Sequence, residues 1–188
     1  MMRWDPVHDA RTAFSACMHA LCAPGTPVEI GRVPHLTDRA ELDTAAAILL
    51  GLLDARVSLG VAGGAAAHRL AAEIRFGTGA TDADVADSDW VLVHGPAAEA
   101  IRRARRGTRV TPETGATVVV ATNAAPQRIT VSGPGIPGGN ATVWVPLDAV
   151  SVHAFIAANA ARPRGVDLLL TTKSCVIGLP RSLEIGVG

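Results

Sequence analysis

The chain has 188 residues and carries 17 basic and 17 acidic side chains, so no net charge draws it to nucleic acid or to an anionic membrane. With 48% hydrophobic and 18% charged residues and a mean hydropathy of +0.29, it is too apolar for a disordered chain. Its longest apolar run, Ala45 to Leu53, is about half of the ~20 residues needed to span a bilayer.

Domains average roughly 100 to 200 residues, which predicts one domain over residues 1–188. The opening MMRWDPVH has no apolar stretch of the signal-peptide kind, which predicts a cytoplasmic protein. From about Asp9 to Cys22, Phe14, Cys17, Met18 and Leu21 recur at i, i+3, i+4 and i+7, the stripe of an amphipathic helix that Pro24-Gly25 ends. A short strand is expected near Val28 to Ile30. Asp38, with Glu41 three residues on, predicts a capped helix whose apolar stripe is Leu42, Ala45, Ala46, Leu49 and Leu53. Val57 to Val61 reads as a strand, and Gly63-Gly64 opens a third helix that buries Ala67, Leu70, Ala71 and Ile74. Trp90 to Val93 is the next strand, and Pro96 stands where a helix takes its first residue. That helix turns Ala97, Ala100, Ile101 and Ala104 inward and leaves Arg102, Arg103, Arg105 and Arg106 on the opposite arc.

Beyond Gly107 the pattern changes to strand-like runs, Thr117 to Ala121, Arg128 to Ser132 and Thr142 to Val145, separated by turn residues. A helix from about Leu147 to Ala161 packs through Val152, Phe155 and Ile156. Asp167 to Thr171 and Cys175 to Leu179 then form a hairpin around Thr172-Lys173-Ser174. Strands first alternate with helices and later pair directly, so the fold class is α/β, a three-layer α/β/α sandwich with a mixed sheet.

Candidate chemistry is sparse. Gly133-Pro134-Gly135-Ile136-Pro137-Gly138 matches G-x-G-x-x-G as text, but its prolines remove amide donors that a pyrophosphate needs, and a strand follows rather than a helix. It reads as a rigid turn. The Gly60 to Gly64 segment is a better anion cradle, since Gly63 and Gly64 join a strand to a helix start. Cys17, His19 and Cys22 lack a zinc spacing, and the three cysteines fit reduced thiols, so neither a metal nor a disulfide is expected. No nucleophile elbow is present, and the histidines have no sequence-local carboxylate that singles one out as a base. Two loops remain. One, Gly107 to Thr117, presents Arg109 and Glu113; the other, Gly178-Leu179-Pro180-Arg181-Ser182, is expected to expose Arg181 at its tip. Either arginine can hold an anion or a partner's carboxylate, or close a salt bridge within the chain.

Taken in order, several segments carry a resemblance: Asp5-Pro6-Val7-His8-Asp9-Ala10 through Phe14 to Pro24-Gly25; Gly107-Thr108 with Pro112 to Thr117; Ser132-Gly133-Pro134-Gly135-Ile136; and Pro163-Arg164-Gly165-Val166-Asp167 to Thr171 with Leu179-Pro180-Arg181-Ser182. Together they resemble the PhnH family, the H subunit of the bacterial carbon-phosphorus lyase system, over nearly the whole chain. The resemblance implies a fold related to the large domain of pyridoxal-phosphate-dependent transferases, but without that cofactor, and a homodimer when isolated. It also implies work beside subunits G, I and L, which displace adenine from ATP with a phosphonate to give a ribose 1-phosphonate 5-triphosphate, before the J subunit, an iron-sulfur radical enzyme, breaks the carbon-phosphorus bond. No catalytic residue carries over. An accessory or assembly subunit is therefore the leading expectation, with Arg109, Glu113, Arg164, Arg181, Gly63 and Gly64 as candidate anion or partner contacts. The alternative is a subunit that itself holds ATP or an alkylphosphonate. Covalent pyridoxal phosphate is not expected, because the single lysine, Lys173, falls in the exposed hairpin turn.

Overall fold

The computed structural model describes residues 4–186, so the first three residues of MMRWDPVH lie outside it. Helix α1 spans His8–Cys22, strand β1 Val28–Glu29, α2 Ala40–Leu52, β2 Ser58–Gly63, α3 Ala65–Thr78, β3 Thr81–Asp82, β4 Trp90–His94 and α4 Ala98–Arg103. After a 3-10 turn at Pro112–Thr114 come β5 Thr117–Ala121, β6 Gln127–Ser132, β7 Asn140–Val145, α5 Ala149–Ala158, β8 Asp167–Thr171, β9 Cys175–Leu179 and β10 Glu184–Gly186. Among the described residues the strands form a seven-stranded sheet in the order β1-β9-β8-β5-β4-β2-β3 and a small sheet β10-β6-β7. Strands β3, β2, β4, β5 and β8 run parallel; β9 alone is reversed, pairing antiparallel with β8 on one side and with β1 on the other, so the large sheet is mixed.

The central strands are apolar throughout because both of their faces are covered. Side chains alternate across a strand, so Val91 and Val93 of β4, Val118 and Val120 of β5, and Leu168 and Leu170 of β8 pack beneath α4, α5 and the small sheet. Leu92, Val119, Ala121 and Leu169 point the other way, into a second core under α1, α2 and α3. The expected three layers are present, with the small sheet sharing one outer layer with two helices. Helix α3 buries Ala67, Leu70, Ala71 and Ile74 as expected, and α4 buries Ala97, Ala100, Ile101 and Ala104 on its inner side.

The first helix is rotated from its expected setting. Phe14 and Met18 are 48% and 44% exposed, while Ala13, Ala16, Cys17 and Ala20 are buried. The buried set keeps the same i, i+3, i+4, i+7 spacing, one residue earlier. The reason is close approach: a Cβ added to Gly178 of β9 would lie 2.5 Å from the Ala20 carbonyl oxygen. At that separation only small side chains fit between helix and strand, and the two large ones are turned outward. Burial pushes the Cys17 thiol up to about 12.

Other expectations shift locally. Asp38 does not cap α2; the helix starts from Arg39 without a side-chain cap, and Asp43 accepts hydrogen bonds from the Leu36 and Thr37 amides at 3.1 and 2.9 Å. Helix α4 begins two residues beyond Pro96 and ends at Arg103, because Ala104 leaves the helical region with ψ at 141°. Strands β3 and β10, two and three residues long, carry too short a pattern to be read from sequence.

Gly178→Ala should lower stability by about 1–3 kcal/mol through overpacking against the α1 backbone. Phe14→Ala should stay within about 0.5 kcal/mol, as for other exposed sites. Urea denaturation midpoints at unchanged slope measure both, and equal effects would contradict the rotated helix. In the native protein at pH 8, exposed Cys22 should react with a thiol reagent, whereas Cys17 should react only after denaturation, as followed by peptide mass mapping.

Candidate functional site

The segments that carry the family resemblance meet at the amino ends of the parallel strands. Thr117 and Asp167 are register partners where β5 and β8 begin. Strand β9 runs back along β8 until Leu179 opposes Leu168, so the chain delivers Arg181 to the same edge. There Arg181 is not an exposed tip. Its amide donates to Asp167 Oδ1 at 2.7 Å, its Nε and Nη2 donate to Oδ2, and its remaining donors reach the carbonyls of Pro112 and Gly115. The two charged side chains are 19% and 20% exposed.

Glycines make this clamp possible. A side chain at Gly115 would collide with the Gly165 carbonyl and the Arg181 guanidinium, and one at Gly165 would strike the Asn159 amide. That amide is itself a staple: its oxygen accepts from Val166 N–H at 2.9 Å and its nitrogen donates to the Val166 carbonyl at 3.3 Å. Arg181 thus spends its fork of donors on holding three distant segments together, the salt-bridge reading of the two left open by sequence.

Beside the clamp lies a cavity of about 610 Å³ bounded by Glu113, Arg162, Pro163, Arg181 and Ser182. Glu113 is exposed at its mouth, and Arg162 is committed to Glu184 at 2.7 Å and to the Leu183 carbonyl at 3.0 Å. Arg109 and Arg164 are exposed, and among the described residues neither side chain makes a hydrogen bond or ion pair within the chain. Arg109 rides a tight turn in which the Thr108 hydroxyl accepts from the Val110 and Thr111 amides.

The arginine quartet is not one helical arc. Arg102 and Arg103 end α4 and pair with Glu99 and Asp84. Past the helix, Arg105 turns back to Asp89 and to the carbonyls of Thr114 and Asp87, and Arg106 donates to the Arg102 carbonyl. Burial alone would raise the Asp89 pKa, but the hydroxyl and amide of Ser58 and the Arg105 guanidinium outweigh it and hold the carboxyl below its ordinary range.

Gly63 and Gly64 lie at the opposite edge, where β2 ends and α3 begins. A parallel strand of five residues is about 15 Å long, so the glycine turn and the arginine clamp cannot share a small ligand. Gly63 is the register partner of His94 at the end of β4. There sequence reasoning missed a pair: His94 Nε2 lies 3.3 Å from Glu41 Oε1, with side chains 24% and 10% exposed. Glu41, expected to partner Asp38 in the cap of α2, instead reaches across to a histidine 53 positions away. A polar residue ending a buried parallel strand was the available signal. Lys173 is exposed in the β8–β9 turn, as expected. Among the described residues no group of three or more His, Cys, Asp or Glu side chains could hold a metal ion, and no helix is long and apolar enough to cross a membrane.

Comparison with known proteins shows similarity over this whole frame. The family model described as bacterial phosphonate metabolism protein (PhnH) matches residues 3–186. The alpha-D-ribose 1-methylphosphonate 5-triphosphate synthase subunit PhnH of Rhizobium meliloti (strain 1021) is 29% identical over 187 residues, covering 96% of this chain and 92% of the relative.

Because Asp89 has a depressed pKa, its stabilisation is complete above the unfolded-state value near 3.9 and is lost as pH falls through the folded-state value. Urea midpoints should therefore decline as pH is taken from about 5 to about 3. Asp89→Asn should flatten that decline and lower stability at neutral pH; an unchanged acid limb would rule out the Arg105–Asp89–Ser58 tie as its source.

Proposed function

The chain belongs to the bacterial phosphonate metabolism protein (PhnH) family, and from that membership we propose that it serves as a subunit of an alpha-D-ribose 1-methylphosphonate 5-triphosphate synthase, the assembly for which its relative is named. The observation that carries this is the unbroken match from residue 3 to residue 186, which spans both cores and both edges of the large sheet. In this reading the assembly transfers the ribose triphosphate of ATP to a phosphonate. The chain acts beside subunits G, I and L, ahead of the J subunit that cleaves the carbon-phosphorus bond. The same reading makes it a cytoplasmic homodimer when isolated, on a fold related to the large domain of pyridoxal-phosphate-dependent transferases.

An accessory role within that assembly is supported by where the arginines are spent. Arg105, Arg162 and Arg181 close ties between segments of this chain, so their charge is used to shape it. Arg109 and Arg164 are exposed and, among the described residues, make no side-chain tie within the chain; on loops that lead to the amino edge, they suit a partner's carboxylates.

Affinity purification of the tagged chain from phosphate-starved cells should recover the other carbon-phosphorus lyase subunits, and the double variant Arg109→Glu, Arg164→Glu should reduce that recovery with unchanged circular dichroism. Light scattering of the isolated chain should give twice 19.3 kDa. A chain recovered alone, at the monomer mass, would refute the assembly reading.

A further inference from the structure

Helix α3 carries a second stripe that the chain itself does not cover. Its buried face is Ala67, Leu70, Ala71 and Ile74, at i, i+3, i+4 and i+7. Two residues later the same spacing recurs in Arg69, Ala72, Glu73 and Phe76, all of them exposed. Two positions turn a helix by about 200°, so this stripe points away from the core. Phe76 is 95% exposed, more than any other large apolar residue among those described.

Phe76 is not a lone apolar residue on a polar surface. With Leu36, Leu50 and Ala72 it bounds an open groove of about 520 Å³ between α3, the end of α2 and the loop before α2. Leu36 is itself exposed. Towards the start of α3, a second hollow of about 230 Å³ lies between Ala66 and the 36–38 loop. A contiguous apolar patch with charged residues at its rim is the kind of surface that a protein contact covers.

The charges on the stripe are unspent. Arg75, on the flank of the same helix, is committed to Asp82 at 2.6 Å and to the Leu59 carbonyl at 3.0 Å. Arg69 and Glu73 make no hydrogen bond or ion pair among the described residues. They share one face of the helix and are opposite in sign. When two such helices run antiparallel about a two-fold axis passing between these residues, each Arg69 meets the other copy's Glu73, and both pairs close at once. The same register sets each Phe76, farther from the axis, over Ala66 of the other copy, whose small side chain leaves the second hollow open to the ring. The stripe holds a knob, a hollow and both signs of charge, arranged to complement itself. Any other partner would have to bring all of these in matching places; a second copy brings them by symmetry.

We propose that this face of α3 is the surface on which a second copy of the chain docks, the two helices antiparallel, with Arg69 paired to Glu73 across the axis and Phe76 buried beside Ala66. The inference rests on the homodimer put forward above and assigns the face that closes it, leaving the amino-edge clamp and its arginines free of the contact. Burial of Phe76 and Leu36 supplies the drive, whereas the exposed ion pairs add little strength and fix the register.

Sedimentation equilibrium of the full chain across micromolar concentrations tests it. The wild type should be dimeric, and Phe76→Asp should weaken dimerisation about tenfold or more, as for an interface anchor, with circular dichroism unchanged because the position is exposed in the single chain. Arg69→Glu alone and Glu73→Arg alone should each weaken the dimer several-fold, since like charges then face one another. Mixing those two single variants should restore it, because each then offers the other an opposite charge at both contacts; a pair made within one helix could not be rescued by mixing. Trp144→Ala, on the exposed edge strand of the small sheet, should leave the dimer unchanged. A dimer that survives Phe76→Asp, or single variants that stay weak on mixing, would overturn this face and leave the subunit reading standing, since recovery of the other subunits decides that separately. A wild type at 19.3 kDa throughout would overturn the face and the homodimer together. Loss of the other subunits by Phe76→Asp at unchanged dimer mass would also overturn the proposal, by giving the face to a different partner.

Discussion

Burial of β4, β5 and β8 on both faces is the constraint on which the rest of the molecule depends. A strand covered on one side can alternate apolar and polar residues, but Val91–Val93, Val118–Ala121 and Leu168–Leu170 must satisfy two cores at once. At about 25 cal/mol per Å² of apolar area, neither face can be left to water without losing a large share of the folding energy. The chain therefore has to supply two covers. One is built from α1, α2 and α3; the other combines α4, α5 and the small sheet, and the residues available for both are mostly small. Alanine surfaces bury little area each but allow close approach, which is why α1 lies against β9 through alanines and a glycine while its large apolar residues face outward.

The parallel register then divides the polar residues between two edges with different chemistry. At the amino edge, cations are plentiful and spent: a guanidinium binds a carboxylate and two carbonyls, and neighbouring arginines repeat the pattern. Such ties resist substitution because removing one partner strands the other in a half-buried setting. At the carboxyl edge the cavity lining beside α4 and α5 is neutral or acidic apart from His94, whose ring pairs with Glu41 on the α2 side of the sheet. One edge secures the frame. The other joins sheet to helix through a histidine–carboxylate pair.

Much of this was legible in the sequence, and the failures have physical causes. The central strands β2, β4, β5, β8 and β9 stood out as apolar runs, and the inward faces of α3 and α4 followed from their period. In α1 the spacing rule was met twice, by Phe14, Cys17, Met18 and Leu21 and by Ala13, Ala16, Cys17 and Ala20; side-chain size favoured the first set, and the nearness of β9 decided for the second. Arg181 was recognisable as important, but its partners lie 14 to 69 positions away, so its role as a clamp rather than an exposed contact needed the fold. Glu41 was read as the partner of a capping Asp38 because the three-residue spacing between them is a local signal. Its pairing with His94 crosses 53 positions and has none.

The anchoring of α2 ties an early and a late segment of the chain to one another in time as well as in space. The buried Thr171 hydroxyl donates to the Glu41 carbonyl across 130 positions, and Thr44 donates to the Lys173 carbonyl across 129. Contacts of such sequence separation form late, since loop closure must precede any return from them. On the ribosome, the helix that pairs with His94 waits for the β8–β9 hairpin to be synthesised before its first turn is fixed. A truncated chain can assemble much of the alanine-rich layer and still leave Glu41 unregistered. Arrival of the β8–β9 hairpin, rather than collapse of the core, is thus the event that sets the carboxyl edge.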